Sequence, residues 1–344
     1  MKWLFFTILS SLYSFLIKFV FYIFSNSLRK KDFLAGSYVI SVGNIVAGGT
    51  GKTPMISYLI YLLKKEGFSC GIVSRGYKRK KGGTVIVSDG HKTLSSVVSS
   101  GDEPYMLSKE HKNAPIVVGK KTTSCKLMHN QFNPDFILVD DGFQSLGLKR
   151  NLNIVLIDLS QPLRYYFVLP LGFLREPLSG LSRADVVIFT KSNSVNKNKL
   201  KIKNKVIKHI NKEKTLVLEA SLNFQLFFFN EQAEVFESYK KIDERVLCFS
   251  GIARPNLFIK KARGFCRHLV KTLSFKDHHN YTLKDFNKIK DLMIRFQASS
   301  IITTKKDFWK IKTSFSGFKV FIIDINHSVL DEKKLLSLIL SQKN

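Results

Sequence analysis

The sequence predicts an α/β protein with a wound parallel sheet, a second and smaller α/β lobe, and an apolar helix at the N-terminus. Short apolar runs alternate with helical patterns from residue 35 onward. A glycine-rich turn follows the first of these runs, and residues 3–25 are almost wholly apolar. Because 344 residues exceed the usual size of one domain, we expect three parts, namely 1–34, 35–190 and 191–344.

The apolar N-terminal stretch predicts a helix that meets a membrane. Lys18 is its one charged residue, and the basic cluster Arg29–Lys31 follows it. A secretory signal is disfavoured, because no small-residue cleavage site follows and the basic cluster comes after the apolar run. The cluster predicts that the next domain stays on the cytoplasmic side. A full span, a helix lying in the membrane interface with Lys18 reaching the headgroups, and a buried helix of a soluble protein are all open.

The first strand leads into SVGNIVAGGTGKTP at residues 41–54, which predicts a phosphate-binding loop of the P-loop NTPase type. Lys52 places a point charge near the outer phosphates. Thr53 supplies a hydroxyl for Mg²⁺ at the start of a helix, whose positive dipole end favours the same anion. The strict pattern has glycine where this chain has Val46. The backbone N–H groups that cradle phosphate are expected at Gly48, Gly49, Thr50 and Gly51.

The remaining periodicity predicts the order of the elements. In the first α/β part, a helix at 53–65 connects the first two strands. Buried parallel strands are expected at 38–42, 70–74, 84–87, 116–118, 136–139, 154–157 and 186–189. A lysine-rich surface helix is expected within 192–214. The second lobe then has strands at 215–218, 224–229, 246–250, 268–274, 300–304 and 320–323, covered by helices at about 283–296 and 331–340.

An apolar strand that ends in two carboxylates, FILVDDGFQ at 136–144, is a candidate magnesium site. Open α/β sheets bind ligands at the carboxyl ends of their strands, which is where Asp140 and Asp141 fall. In a P-loop enzyme the second magnesium-organising element belongs at this place. The alternative is a pair of aspartates that make turn hydrogen bonds.

Two other stretches carry charged residues in turns. SGDEP at 100–104 offers Asp102 and Glu103, for which the residues alone favour helix capping. LPLGFLREP at 169–177 offers Arg175 and Glu176, which either bind phosphate or magnesium or form a surface salt bridge.

FKDHHNY at 275–281 places Asp277, His278 and His279 after a strand of the second lobe. Adjacent histidines face different directions on most backbones, so a metal site made by this pair is disfavoured. One histidine hydrogen-bonded to a carboxylate can instead help to take a proton from a hydroxyl group.

Composition limits the partners and the redox chemistry. The four cysteines, Cys70, Cys125, Cys248 and Cys266, have no CxxC spacing, which argues against a zinc ribbon and against a disulfide framework. The net charge of +29 fits either nucleic acid or an anionic membrane. The basic residues occur in bursts (29–31, 78–81, 197–205 and 305–306) without a nucleic-acid-binding motif, so nucleic acid is not expected as a partner.

Taken together, the motifs resemble one family in their order along the chain, the tetraacyldisaccharide 4'-kinases of lipid A biosynthesis. The resemblance runs from the N-terminal helix nearly to the end. The motifs that carry it are SVGNIVAGGTGKTP, SRGY (74–77), GDEP (101–104), DDGFQ (140–144), LREP (174–177), GIARP (251–255), DHH (277–279) and TTKKD (303–307).

This resemblance implies an ATP- and Mg²⁺-dependent transfer of the γ-phosphoryl group. The implied acceptor is the 4'-hydroxyl of a tetraacyl glucosamine disaccharide 1-phosphate, a lipid A precursor. The implied place is the cytoplasmic face of the bacterial inner membrane, where the N-terminus anchors the enzyme without an obligate protein partner. Because a lipid acceptor stays in the bilayer, the apolar N-terminus would hold the enzyme at the membrane where the acceptor is, and the basic surface would attract anionic headgroups.

The resemblance also implies roles for individual residues. Lys52 would act on the phosphates, Asp102 would be the catalytic base, and His278 would support it as the lobes close on the acceptor. The base role replaces the capping role that the residues alone favour. Magnesium is implied at Thr53, Asp140, Asp141 and Glu176.

The chain departs from the family pattern at several positions. Val46 and Ala47 occupy the loop, Ser145 stands where histidine is usual, and Lys120 or Lys121 stands near an expected arginine. Lysine keeps the charge but not a bidentate fork. Two rival hypotheses are a membrane-associated P-loop ATPase that couples hydrolysis to partner binding, and a nucleic-acid-binding protein with an incidental glycine loop.

Overall fold

The structure, a computed structural model, describes residues 2–26, 36–80 and 82–343. The chain divides into two compact units. Unit 1 comprises Met1–Leu222 and His327–Asn344, and unit 2 comprises Asn223–Asn326. The basic residues Arg29–Lys31 and Lys81 lie outside the described residues.

Unit 1 begins with a helix and continues as alternating strands and helices. In chain order the elements are α1 (Lys2–Asn26), β1 (Tyr38–Asn44), α2 (Lys52–Lys65), β2 (Cys70–Ser74), β3 (Val85–Asp89), α3 (Val97–Ser100), α4 (Asp102–Glu110), β4 (Pro115–Val118), α5 (Lys121–Phe132), β5 (Phe136–Asp140), β6 (Leu152–Asp158), β7 (Val186–Thr190), α6 (Lys199–Ile207) and β8 (Leu216–Asn230). Short 3₁₀ helices lie at Leu163–Tyr166 and Leu178–Arg183.

The sheet of unit 1 places β1 at its centre. The strands lie in the spatial order β8, β7, β6, β1, β5, β2, β4, β3. Neighbouring strands are parallel, except that β3 is antiparallel to β4. The predicted strand at 84–87 is therefore an antiparallel edge strand, a common addition to wound parallel sheets. Because β1 lies between β5 and β6, the chain leaves β1 beside the carboxyl ends of two neighbours.

Helices cover both faces of this sheet. Because side chains alternate along each strand, successive residues belong to the hydrophobic cores on opposite faces. Ile40 and Val42 of β1 pack with Met55 and Leu59 of α2 on one face. Val39, which directly precedes Ile40, faces the opposite side, in the cluster that contains Met128 of α5. This two-residue period is what a strand buried on both faces requires.

Unit 2 continues the α/β pattern. Its elements in chain order are β9 (Val235–Tyr239), β10 (Ile242–Ser250), α7 (Pro255–Phe265), β11 (Cys266–Ser274), α8 (Leu283–Arg295), β12 (Ser300–Thr304), α9 (Lys305–Ile311) and β13 (Lys319–Val329), with a 3₁₀ helix at Lys312–Phe315. Strands β11, β10, β12 and β13 are neighbours in that order and parallel. Strand β9 forms an antiparallel pair with the second half of β8.

The core of unit 2 is rich in phenylalanine. Phe249 packs with Phe286 of α8 and Phe308 of α9 on one face of the sheet. Cys248 and Phe258 of α7 belong to the cluster on the other face. Burial raises the pKa of the Cys248 thiol. All four cysteines are buried free thiols.

Besides the antiparallel strand β3, three predicted elements or boundaries differ in the structure. The strands predicted at 215–218 and 224–229 are one continuous strand, β8, because Leu218, Ala220 and Leu222 keep the inward alternation between them. The chain passes from unit 1 to unit 2 within β8, later than the predicted boundary at 191, and returns within β13. The predicted helix at 331–340 is α10 (Glu332–Ser341), which packs in the core of unit 1 rather than covering the second lobe.

Helix α1 is long and apolar enough to cross a membrane by its length and composition. The candidate stretch is Leu4–Ile23, 20 residues, of which 6% are buried. Leu12, Phe15 and Phe19 are each more than half exposed. This exposure disagrees with the alternative of a helix buried inside a soluble protein.

An ion pair joins Lys343, which follows α10, to Asp135, which precedes β5. Lys343 Nζ lies 2.7 Å from Asp135 Oδ1. This bond from Lys343, together with bonds from Ser69, lowers the pKa of Asp135 to about 2. Since the folded state favours the carboxylate, the pair contributes stability above the unfolded pKa near 4, and the contribution is lost as the pH falls toward 2.

We expect Lys343→Gln to lower the free energy of unfolding by about 0.5 kcal/mol at pH 7, a small value because Asp135 is partly exposed and screened. Urea unfolding at pH 7 and at decreasing pH measures the difference, which should shrink below pH 4. The matched control is Lys334→Gln, which removes a more exposed pair with Asp331. If Lys343→Gln still lowered the free energy of unfolding by the same amount at about pH 2.5, near the folded pKa of Asp135, the ion pair would not be the source of the difference.

Candidate active site

The loop after β1 is held in shape by the side chain of Asn44, the last residue of that strand. Asn44 Nδ2 donates to the carbonyl oxygen of Val46 at 2.8 Å and to Thr50 Oγ1 at 2.8 Å. Asn44 is fully buried. Because the side chain bonds to the loop that its own strand enters, the loop geometry is fixed from the sheet below it.

Two further side chains hold the last turn of the loop. Thr190 Oγ1, at the end of β7, donates to the carbonyl oxygen of Thr50 at 3.2 Å. His327 Nε2 lies 3.0 Å from the carbonyl oxygen of Gly51. Since a carbonyl only accepts, His327 carries its proton on Nε2 in this contact. Burial lowers the pKa of His327, which favours this neutral form.

The glycines leave the backbone of the loop accessible. Gly51, at φ 93°, is the N-cap of α2 in the left-handed region. A Cβ atom added at Gly48 or Gly49 would meet nothing within 4 Å. The backbone at Gly48 and Gly49 therefore borders open space close in sequence to the N-terminus of α2, which is where an anion site is expected.

Lys52 and Thr53 begin α2 and meet acidic side chains. Lys52 Nζ lies 3.4 Å from Asp141 Oδ1 and 3.5 Å from Asn44 Oδ1. Thr53 Oγ1 donates to Glu103 Oε2 at 3.2 Å. The predicted phosphate lysine and magnesium threonine thus lie beside carboxylates that come from two other parts of the chain.

Asp140 and Asp141 lie at the carboxyl end of β5, as the sequence predicts, but in different environments. Asp140 is buried and accepts from Ser74 Oγ at 3.2 Å through Oδ2. Burial, with the nearby charge of Glu103, raises the pKa of Asp140 to about 6. Burial also acts to raise the pKa of Asp141. There the Arg175 hydrogen bond and the charges of Lys52, Arg175 and Lys121 outweigh it, so the pKa lies well below its usual value.

Asp141 is held by a fork of two hydrogen bonds. Arg175 Nη1 lies 3.1 Å from Asp141 Oδ2, and Nη2 lies 3.0 Å from Oδ1. Lys121 Nζ donates to the backbone carbonyl of Asp141, and burial lowers the pKa of Lys121. Of the two lysines named for the expected arginine, Lys121 is therefore the one at the site, while Lys120 is exposed. Asp141 itself has a left-handed backbone, with φ 51°.

The GDEP motif starts helix α4. Gly101 is the N-cap, at φ 89°, so Asp102 is the first residue of the helix and not its cap. The motif is joined to the loop by the bond between Glu103 and Thr53. From the residues alone, Glu103 was expected only to take part in helix capping, and its contact with Thr53 was not predicted. The only signal for this contact in the sequence was the place of Glu103 inside the motif.

Glu176 is almost completely buried, at 1% exposure. Gln144 Nε2 donates to its Oε1 at 2.7 Å, and Arg183 Nη2 lies 2.6 Å from its Oε2. Both carboxylate oxygens therefore accept hydrogen bonds from protein side chains. The sequence did not predict Gln144 and Arg183 as partners of Glu176.

In unit 2, three of the motifs meet at the carboxyl ends of the parallel strands. His278 has a left-handed backbone, φ 60°, and its Nε2 lies 3.2 Å from Lys306 Nζ. His279 instead meets Asp285, at 3.0 Å. The backbone N–H of Gly251 donates to Asp307 Oδ2 at 2.8 Å. GIARP, DHH and TTKKD thus form one cluster, and the two histidines face different directions.

Comparison with known proteins decides the family. The family model described as LpxK, tetraacyldisaccharide-1-P 4'-kinase, matches residues 2–344. The chain belongs to this family. It is 36% identical over 297 residues to the tetraacyldisaccharide 4'-kinase of Halothermothrix orenii, covering 83% of this chain and 76% of that one. It is 36% identical over 318 residues to that of Desulfotalea psychrophila, covering 88% and 86%.

A crystal structure of a family member resembles the fold over its whole length. LpxK from Aquifex aeolicus, solved in complex with ATP, superposes with a TM-score of 0.76 and 28% identity over 98% of each chain. The resemblance to the family and the predicted α/β P-loop fold are thereby confirmed.

The contact between His327 and Gly51 generates a prediction for the affinity for ATP, the nucleotide that the resemblance implies. His327→Leu removes the donor to the Gly51 carbonyl, so we expect the KM for ATP to rise about tenfold, the value of one buried hydrogen bond. His327→Gln, whose amide nitrogen can replace Nε2, should keep most of the affinity. His209→Leu, at an exposed histidine, is the control. Equal KM values for His327→Leu and the unaltered chain would refute the contribution.

Proposed function

We propose that this chain transfers the γ-phosphoryl group of ATP to the 4'-hydroxyl of a tetraacyl glucosamine disaccharide 1-phosphate in lipid A biosynthesis. The observation that carries the proposal is that the glycine loop, Asp140 and Asp141 follow neighbouring parallel strands at one sheet edge, in a chain matched by the kinase family over residues 2–344. The relatives named above are called tetraacyldisaccharide 4'-kinases, which supports the acceptor.

ATP is the proposed donor. The backbone N–H groups of Gly48, Gly49, Thr50 and Gly51 would bind its phosphates, with Lys52 Nζ and the N-terminus of α2 adding positive charge. The open space beside Gly48 and Gly49 supports this assignment. The related LpxK of Aquifex aeolicus was solved with ATP, which supports it further.

Magnesium fits the residues at this edge. Asp140 Oδ1 is buried without a hydrogen-bond partner among the residues that the structure describes, so it is a carboxylate oxygen open to a cation. Hard oxygen ligands such as Asp140, Asp141 and Thr53 suit Mg²⁺, which takes its other ligands from phosphates and water. Within 2–26, 36–80 and 82–343, no three His, Cys, Asp or Glu residues cluster as a complete protein-made metal site. When bound, the ion would neutralise charge on the transferring phosphoryl group.

The predicted metal role of Glu176 competes with its present contacts. An ion bound there would have to share a carboxylate oxygen that already accepts from Gln144 or from Arg183, as it also would at Asp141, whose two oxygens accept from Arg175. Magnesium binding by Glu176 therefore stays a prediction.

Asp102 is the proposed general base. It is adjacent to Glu103, which is bonded to Thr53, the predicted magnesium ligand, so the motif lies beside the glycine loop. A base contributes typically 10²–10⁴-fold to turnover when it takes the proton of the attacking hydroxyl. His278, in unit 2, stays a predicted supporting residue, whose Nε2 accepts from Lys306.

We also propose that α1 anchors the protein at the cytoplasmic face of the inner membrane. The exposed apolar stretch Leu4–Ile23 supports this. The net charge of +29 favours anionic headgroups and the phosphate of the acceptor.

The direct test supplies radiolabelled ATP and the disaccharide 1-phosphate in detergent micelles. Label on the lipid supports the kinase. Hydrolysis of ATP without label on the lipid would favour the alternative, a membrane-associated P-loop ATPase that couples hydrolysis to partner binding.

For Asp102→Asn we expect kcat to fall by about 10²–10⁴-fold, because the base is lost while the site keeps its shape. The dissociation constant for ATP should stay within about twofold, a difference well under 1 kcal/mol. Single-turnover transfer and equilibrium ATP binding measure the two quantities. Asp291→Asn, at an exposed aspartate of α8, is the matched control. Undiminished transfer would remove Asp102 from the base role.

For His278→Asn we expect a fall in kcat of about tenfold or more, with the affinity for ATP unchanged. Asparagine tolerates the left-handed backbone of this position, so the loss reports on the imidazole. The same two assays apply, with His209→Asn as control. A normal kcat would contradict the supporting role.

A further inference from the structure

Helix α1 is joined to the rest of unit 1 by polar and aromatic contacts along one stripe. Ser10 Oγ donates to the carbonyl oxygen of Val168 at 3.0 Å, and the Tyr13 hydroxyl donates to the carbonyl oxygen of Arg175 at 2.9 Å. The guanidinium of Arg183 lies 4.2 Å from the ring centre of Phe21. Ser10 is buried, at 7% exposure, whereas Phe15 on the same helix is 65% exposed. An apolar helix that only anchored the protein would not need this docked stripe.

The segment that α1 contacts, residues 173–176, pairs with the start of the glycine loop. The N–H of Ala47 donates to the carbonyl oxygen of Phe173 at 2.8 Å, and the N–H of Arg175 donates to that of Ile45 at 2.8 Å. Val46 and Leu174 form the antiparallel bridge between these two bonds. Segment 173–176 is therefore bonded to the loop through its backbone, and the Tyr13 hydroxyl bonds the Arg175 carbonyl of the same segment.

The side chains of segment 173–176 continue the connection into the site. Arg175 makes its two-bond fork to Asp141 and also donates to Asn44 Oδ1. Glu176 binds Gln144, whose amide donates in turn to the backbone carbonyl of Asn44 at 2.8 Å. Arg183 bonds Glu176 on one side and covers Phe21 on the other. Two separate chains of contacts thus run from α1 to Asn44 and Asp141.

We propose that Tyr13 and Arg183 are positioning residues through which docked α1 fixes Arg175 and Glu176, and with them Asp141 and the start of the glycine loop. Helix α1 is then part of the support of the phosphate and metal site, in addition to its proposed anchoring. The effect follows from geometry, since small misplacements of charged groups cost large factors in turnover. The expected fall in turnover rests on the proposed function, whereas the expected loosening of the loop backbone does not.

The test compares Tyr13→Phe with Tyr61→Phe, the same chemical change at an exposed position of α2. Full-length protein is measured in detergent micelles and in vesicles of anionic phospholipid. Removing the Tyr13 hydroxyl should speed hydrogen exchange of the Ala47 and Arg175 amides about fivefold, the factor expected for one lost hydrogen bond. We expect kcat to fall about three- to tenfold, with vesicle flotation unchanged. Phe21→Leu, which keeps apolar character but removes the ring below Arg183, should act in the same direction.

Each outcome of these measurements either supports or overturns the proposal. Exchange and kcat equal to those of the unaltered chain for both Tyr13→Phe and Phe21→Leu would overturn the proposal. Loss of flotation in proportion to activity would also overturn it, because α1 would then act as an anchor alone. Faster amide exchange in a protein that labels no lipid would support the coupling while refuting the kinase function, so the two failures are distinguishable. A thermal melt of each variant separates local loosening from global unfolding.

Discussion

Asp141 is the point at which the cations of the site converge. Its carboxylate accepts the fork of Arg175 and lies 3.4 Å from Lys52, and its backbone carbonyl accepts from Lys121. These partners come from three distant stretches of the chain, so one residue joins the glycine loop, α5 and segment 173–176. Its neighbour Asp140 has a raised pKa because it is buried near another carboxylate. Adjacent acids whose pKa values move in opposite directions are typical of functional sites.

Much of the fold could be predicted because buried parallel strands are short apolar runs, and these stand out in the sequence. Strands β2 and β12 lie at the predicted residues. Strand direction and the assignment of elements to a core could not be predicted in this way. The antiparallel edge strand β3 looks like its neighbours in sequence, and α10 is separated from its partners in unit 1 by all of unit 2.

The site was predictable where its residues lie in motifs with a fixed spacing, as in the glycine loop and the aspartate pair. The contacts that shape those motifs were not, since they join residues far apart in sequence. His327 meets Gly51 across 276 positions, and a single histidine in a strand carries no signal of its own. The partners of Glu176 were missed for a similar reason. A charged pair next to proline indicates a turn, but nothing in it indicates that the carboxylate is buried.

The left-handed backbone of Asp141 affects how substitutions there must be interpreted. At φ 51° most residues are strained by about 1–2 kcal/mol, while asparagine and glycine are tolerated. Alanine at this position would therefore combine a loss of charge with a conformational penalty. Asparagine would keep the backbone and remove only the charge. An alanine scan across DDGFQ would for this reason overstate the electrostatic importance of residue 141 relative to residue 140.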